Sequence, residues 1–367
     1  MNEKILPDDI ELKSLSELTD IADRLIQKLE NKKNLEESIE DYQYLIKLNN
    51  IIEKKFQKDS KNISESTKIK IEVLSSKKWK KKLARTVYIV NKFLKNYLAK
   101  QKKTDLIIPI KYGLFPGGKK IRSKLIFDVG KIFNVEKKYL LYLSSSVECI
   151  HAYSLIHDDL PCMDDDDIRR GKLTTHKKFG ESTAVLAGNS LLTLAFEILS
   201  DPKFNINNNK KISLINLISQ SSGHQGIAGG QFLDLNYERK KVSKQKVIDM
   251  EIKKTGKLFS FSCLSPVILT NKKDQIKKFS IIGEKIGLLF QIADDLIDYS
   301  STSKTAGKKT NKDSKRGKAT LISLLGYKNA IKYASKLKKE IFNSLVSYGN
   351  NASDLKETIE FILSRNK

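Results

Sequence analysis

Apolar residues recur at intervals of three and four along almost the whole chain, and alternating runs bounded by Asn-Gly or Asp-Gly turns are absent. A period near 3.6 gives a helix one apolar stripe, whereas a half-buried strand needs a period of two. The expected fold is therefore all-α. Leu15, Leu18, Ala22, Leu25 and Leu29 form a first stripe, which Asn31-Lys-Lys-Asn34 interrupts. Leu35, Ile39, Tyr42, Ile46 and Ile52 or Phe56 begin a second. Together they predict an antiparallel helical hairpin over residues 1–76, with a weaker third helix from Ser66 to Leu74. The polar, Lys-rich stretch 59–82 marks the boundary with a second domain over residues 77–367. There the spacing predicts helices over Leu83–Leu98, Thr183–Leu199, the apolar surroundings of Ile286 to Ile297, and two closing helices over 328–365. Gly171–Phe179, Asn205–Lys211 and Ser301–Lys318 read as loops, the second being the most flexible insertion.

Two acidic clusters break this pattern. The stretch His157 to Arg170 holds six aspartates, Asp158, Asp159, Asp164, Asp165, Asp166 and Asp167, and ends in Arg169-Arg170. Carboxylates this close repel and raise one another's pKa unless a cation sits among them. The apolar run Ile150–Ile156 precedes them, so this is no solvated acidic tail. A hard divalent metal answers the charge, and Mg2+ suits carboxylate oxygens while sharing its shell with substrate phosphates. The second cluster is Gln291-Ile-Ala-Asp294-Asp295-Leu-Ile-Asp298. Asp294 and Asp298, four apart, share one face of an apolar helix. Buried carboxylates need a partner or a metal. The two clusters could face one cavity and hold several ions around one diphosphate.

The net charge is +25, from 60 Lys and 8 Arg against 43 acidic residues. So strong a preference for Lys reads as solvated faces rather than a nucleic-acid groove. Three of the eight arginines, Arg122, Arg169 and Arg170, fall beside the candidate chemistry. Arg grips phosphate oxygens with a planar fork that Lys lacks. Gly117-Gly118 before Lys119, Lys120 and Arg122 suits backbone approach to an anion, although a turn followed by a basic helix explains it equally. Likewise His151 in an apolar helix reads by itself as a satisfied core residue.

Asp158-Asp-x-x-x-x-Asp164 with Arg169-Arg170, and Asp294-Asp-x-x-Asp298, resemble the two aspartate-rich motifs of trans-isoprenyl diphosphate synthases, of the bacterial farnesyl diphosphate synthase type. Gly117 to Arg122, Glu148 to His151, Gly229-Gly-Gln231, Lys254-Thr-Gly256 and Gly317-Lys318 follow the family's order over residues 85–365. The resemblance implies an isoprenoid synthase helical bundle that condenses isopentenyl diphosphate with an allylic diphosphate. It implies about three Mg2+ per site on Asp158, Asp159, Asp164, Asp294, Asp295 and Asp298. Lys119, Arg122, His151 and Arg170 would hold isopentenyl diphosphate. Arg169, Lys254, Lys308 and Lys318 would surround the allylic diphosphate, and Thr255 and Gln291 would face the carbocation. Gln231 and Asp234 would sit near the site. Tyr153 and Ser154, five and four positions before Asp158, would set chain length. The Tyr153 ring favours a C15 product, with C20 as the alternative. Ser123 stands where the family has Pro, and Ala306 and Asn311 where it often has Leu and Gly. Family members are usually homodimers, so a homodimer is implied too.

Ser14-Leu-Ser-Glu-Leu and Asn34-Leu-Glu-Glu-Ser-Ile-Glu-Asp-Tyr resemble the small subunit of exodeoxyribonuclease VII. That implies a partner, the nuclease large subunit, for the hairpin; an inert packing appendage is the other reading. Residues 1–80 carry 16 basic and 16 acidic residues, so this part has no net charge and is a poor nucleic-acid binder by itself. Three cysteines without metal-ligand spacing, Cys149, Cys162 and Cys263, read as buried thiols of a reduced cytoplasmic protein. No signal peptide is recognisable, and no uncharged run reaches the roughly 18 residues of a membrane span. A terpene cyclase would also need aspartate-rich metal sites but has no use for Gly117–Arg122. A non-catalytic scaffold has no use for both acidic clusters.

Overall fold

A computed structural model describes residues 9–10, 13–30, 39–102, 104–304 and 320–364. The chain divides into two compact units, 1–78 and 79–367.

In the first unit, α1 (Leu15–Glu30) opens on a capping box. The Glu17 backbone N–H reaches Ser14 Oγ at 3.3 Å, and Glu17 Oε2 accepts from the Ser14 N–H at 2.7 Å. Two otherwise orphaned donors are thereby satisfied, as the Ser-x-x-Glu spacing allows. Helix α2 spans Ile39–Ala99, so the segment expected as a separate third helix lies within it. Leu18 and Leu48 are fully buried, with Ala22, Leu25, Ile51 and Ile52 packed around them. Ile46, expected in the second stripe, is instead 49% exposed. The inward face runs through 48, 51 and 52, because a stripe three and four apart can be traced from more than one starting residue.

The second unit is built from helices: α3 (Ile107–Leu114), α4 (Ile121–Ile132), α5 (Lys137–Asp158), α6 (Thr175–Phe179), α7 (Glu181–Ser200), α8 (Asn208–Ser222), α9 (Ile227–Tyr237), α10 (Lys244–Glu251), α11 (Lys257–Ile268) and α12 (Ile276–Lys304). Three more follow at Leu321–Leu325, Tyr327–Ser344 and Ser353–Ser364. The one sheet among the described residues is a ribbon of β1 (Ile168–Arg169) and β2 (Lys172–Leu173), paired antiparallel. The expected loop 171–179 thus carries β2 and α6.

Helices α5 and α11 are buried on every face and form the interior. Phe259 packs among α4, α12 and the C-terminal helices, and Phe261 among α5, α7 and α8, so α11 joins the two apolar clusters. A helix apolar all round must be enclosed in this way. Helix α7 is the one described helix long and apolar enough to cross a membrane. Its Ala187, Leu191, Leu194 and Ile198 are buried in the second cluster. Asn205–Lys211 is not a slack insertion: Asn207 Oδ1 accepts the Asn209 N–H at 2.9 Å and caps α8. Cys149 and Cys263 are buried as expected, but Cys162 is exposed in the acidic loop.

A buried polar chain ties α2 and α4 to the last helix. The Trp79 ring stacks on Phe361 at 3.8 Å, and its Nε1–H donates to Thr358 Oγ1 at 3.0 Å. Thr358 donates in turn to Asp128 Oδ2 at 2.7 Å, and the other Asp128 oxygen meets Lys124. Lys82 and Lys131 both reach Asp354, at 2.6 and 2.8 Å. Trp79→Ala removes a ring that is only 3% exposed and leaves a cavity. It should destabilise the protein by about 3–5 kcal/mol in denaturant unfolding, with Trp79→Phe recovering most of the loss.

Candidate active site

Helix α5 delivers Asp158 at its last turn, and the chain then folds back over the helix end. The Asp164 N–H donates to the Asp158 carbonyl at 2.8 Å, the Asp165 N–H to Leu160 at 3.0 Å, and the Asp166 N–H to Asp159 at 3.2 Å. These bonds satisfy helix-terminal carbonyls that would otherwise be orphaned, and they bring Asp164 back beside Asp158. Burial pushes the Asp158 carboxyl up to about 6, with Asp164 adding to the rise and Lys254 opposing it. Asp159 is 3% exposed and takes both Nε and Nη2 of Arg169 on one oxygen, at 2.6 and 2.5 Å. This fork fixes Arg169, which also lies 3.6 Å from Asp166.

Between α10 and α11 the chain forms a π-helical turn, Ile252–Gly256, at the Lys254-Thr-Gly segment. Such turns re-aim successive side chains. Lys254 reaches Asp234 of α9 and feels the field of Asp158 and Asp164. Burial alone would lower its pKa, but these carboxylates hold it raised and charged. The next residue, Thr255, donates to Gln291 Oε1 at 3.3 Å, and Gln291 Nε2 donates to Asp295 Oδ1 at 3.0 Å. One turn therefore joins the first acidic motif, through Lys254, to the second, through Thr255. On α12 Asp295 is buried, Asp294 is half-buried and Asp298 is exposed. Gly230 of α9 lies so close to the Lys254 backbone that a Cβ there would overlap it. No side chain fits at that contact.

A second concavity of ≈ 530 Å³ is lined by Gly118, Lys119, Lys120, Arg122, Glu148, His151, Arg170 and Phe290. Gly117 and Gly118 have φ of 96° and 113°, which side-chain-bearing residues rarely adopt. The Arg170 guanidinium packs on Gly118 and donates to the Gly117 carbonyl. Lys120 lies 3.3 Å from Glu148, both buried, and Ser123 Oγ donates to the other Glu148 oxygen at 2.7 Å. Ser123, the departure from the family's Pro, thus orients this carboxylate. The Arg122 guanidinium stacks over Phe259 at 4.7 Å. Burial, and then Arg122, Arg170, Lys120 and Arg169, hold the His151 pKa well below its usual range. The imidazole is neutral within a ring of cations, an arrangement that favours a polyanion.

Tyr153 and Ser154 occupy the turn of α5 below the acidic motif. The Tyr153 hydroxyl donates to the Ser222 carbonyl at 3.3 Å, and its ring meets His157 edge-on at 5.6 Å. Ser154 Oγ bonds back to the His151 carbonyl at 3.0 Å. The structure thus brings Asp158, Asp164, Arg169, Lys254, Thr255, Gln291 and Asp295 into one linked set, with Lys119, Arg122, His151 and Arg170 around the second concavity. Lys308 and Lys318, together with Ala306 and Asn311, lie outside the described residues. The pairing of Lys120 with Glu148, and the part Ser123 plays in it, are not legible in the sequence. The doubled lysine at 119–120 was the only signal for Lys120, and nothing in the local pattern announces Ser123.

The donor chemistry fits Mg2+. Asp158 and Asp164 are hard oxygen donors that the loop's backbone hydrogen bonds hold side by side, the kind of ligand Mg2+ takes.

Residues 104–362 match the family model described as polyprenyl synthetase. The farnesyl diphosphate synthase of Micrococcus luteus is 40% identical over 259 residues, covering 70% of this chain and 88% of that one. The geranylgeranyl diphosphate synthase of Cyanophora paradoxa is 35% identical over 280 residues, covering 76% and 93%. The apo crystal structure of an FPP/GFPP synthase from Zymomonas mobilis superposes with a TM-score of 0.70 at 34% identity, covering 78% and 99%.

A raised Asp158 pKa gives a signed prediction. Its charged form opposes folding above about pH 6, and this opposition fades as pH falls through 6 and the folded carboxyl takes up its proton. In metal-free protein Asp158→Asn should therefore raise the melting temperature by a few degrees at pH 8 and change it little at pH 4.5. Equal shifts at both pH values would contradict the assignment.

Proposed function

The chain belongs to the polyprenyl synthetase family, and from that premise we propose that it is a Mg2+-dependent prenyltransferase making farnesyl diphosphate. It condenses isopentenyl diphosphate head to tail with dimethylallyl and then geranyl diphosphate. The observation that carries this reading is the π-turn at Lys254-Thr255, which links two acidic motifs far apart in sequence, together with the cationic concavity lined by Lys119, Lys120, Arg122 and Arg170. A terpene cyclase has no use for that second anion site.

The metal, held by Asp158, Asp164 and Asp294, would supply Lewis-acid stabilisation of the departing diphosphate. About three ions per site follow from the family pattern, with Asp159, Asp295 and Asp298 completing the acidic shell. Asp159 also positions Arg169. Lys254, kept protonated by Asp234, places a fixed positive charge where the allylic diphosphate leaves. Lys308 and Lys318 are assigned to the same diphosphate by their place in the motif order. Lys119, Arg122, His151 and Arg170 anchor isopentenyl diphosphate and hold its double bond against the allylic carbon. This proximity replaces an encounter in solution. The Thr255 hydroxyl and the Gln291 amide aim their negative ends at the carbocation. After the carbon–carbon bond forms, a proton leaves the adjacent carbon, and the released diphosphate would accept it.

Tyr153, its hydroxyl tethered to Ser222, closes the floor of the allylic pocket and favours C15. The relative making geranylgeranyl diphosphate keeps C20 as the second reading. A homodimer and a cytoplasmic location fit the family. The hairpin is proposed as a separate module, with the nuclease large subunit as its partner on the strength of the Ser14–Leu18 and Asn34–Tyr42 resemblance.

Full-length protein given labelled isopentenyl diphosphate, dimethylallyl diphosphate and Mg2+ should yield a C15 product by chromatography. Asp158→Ala with Asp294→Ala should abolish turnover while leaving the helical circular dichroism intact, and activity retained by this variant would sink the mechanism. Tyr153→Ala should shift the product towards C20 or longer. An unchanged product would remove Tyr153 from chain-length control.

A further inference from the structure

The acidic loop carries more carboxylates than the prenyl transfer uses. Asp165 and Asp167 are among them, and with His176 they bring one ligand atom each to within 4.8 Å of one another. Ligands about 2.1 Å from one ion lie about 3–4 Å apart, so small side-chain adjustments close the set. His176 is 5% exposed. Its Nδ1 lies 3.1 Å from Thr174 Oγ1, which fixes the ring. Its Nε2 is buried without a hydrogen-bond partner among the described residues. A buried imidazole with one ring nitrogen unsatisfied is unfavourable, and a cation shared with the two carboxylates would relieve it.

We propose that Asp165, Asp167 and His176 form a second cation site, separate from the all-carboxylate site and selective for an ion of the Zn2+ class. Imidazole nitrogen suits Zn2+ and Co2+, whereas Mg2+ prefers oxygen alone. The place of the site gives it a consequence. The Thr174 N–H donates to the Asp167 carbonyl at 2.9 Å and closes the loop that contains the β1–β2 ribbon. That ribbon carries Arg169, and Arg170 sits at its turn. An ion bridging Asp167 and His176 clamps both ends of the ribbon and so braces the two arginines. Lys177, 2.9 Å from Asp167 Oδ1, competes with the ion for that carboxylate.

The test uses full-length, chelator-treated protein titrated with Co2+ in excess Mg2+, followed by visible absorption. One equivalent should bind with a ligand-field band and be displaced by Zn2+. Asp165→Asn and Asp167→Asn, both at exposed positions, should each weaken binding at least about tenfold, and Lys177→Met should tighten it. His176→Gln should lose the band, and if that variant does not fold, the two aspartate variants still decide. The Asp158→Asn/Asp294→Asn double variant should keep the site, which separates this proposal from the prenyltransferase reading. Co2+ binding unchanged in Asp165→Asn and Asp167→Asn, or lost in the double variant, would overturn it.

Discussion

Everything in the catalytic unit is arranged around one electrostatic constraint: Asp158 and Asp164 are held side by side in partial burial. Backbone bonds from the 160–166 loop to the end of α5 enforce the proximity, and burial, with a smaller part from Asp164, raises the Asp158 pKa to about 6. The fold answers with placed cations. Lys254 comes in from the π-turn, and Arg169 is locked by Asp159.

The second concavity solves the opposite problem. Lys120, Arg122 and Arg170 converge with few carboxylates to offset them, Glu148 being the chief one. Their mutual repulsion is moderated by Glu148, by the Phe259 face under Arg122 and by the neutrality of His151. An anion entering there relieves strain already built into the site. An acidic site awaiting cations and a basic site awaiting an anion therefore share the interior around α4, α5 and α11, which is the division of labour that joining two diphosphates requires.

The π-turn shows how helix packing becomes chemistry. A regular helix through Ile252–Gly256 would space Lys254 and Thr255 by about 100° around the axis and about 1.5 Å along it. The wider turn, pressed by Gly230 on α9, instead sends Lys254 to Asp234 and Thr255 to Gln291. The motif order marks Lys254-Thr-Gly256 as a site segment but not as a π-turn, because such a turn depends on what presses against it.

The sequence by itself determined the helical class, the two acidic motifs, the basic glycine turn and the family resemblance. Each is written in local spacing or in a residue type with no chemical substitute, such as the few arginines in a Lys-rich chain. Tertiary structure alone decided which face of the α2 hairpin segment is buried, where Leu48 rather than Ile46 points inward. It decided that Asp159 serves Arg169, that Lys120 joins the cationic concavity, and that Ser123 orients Glu148 across two helices. It also brought His176 to Asp165 and Asp167. These pairings depend on how helices and loops approach one another in space, and a one-dimensional pattern carries no record of that distance.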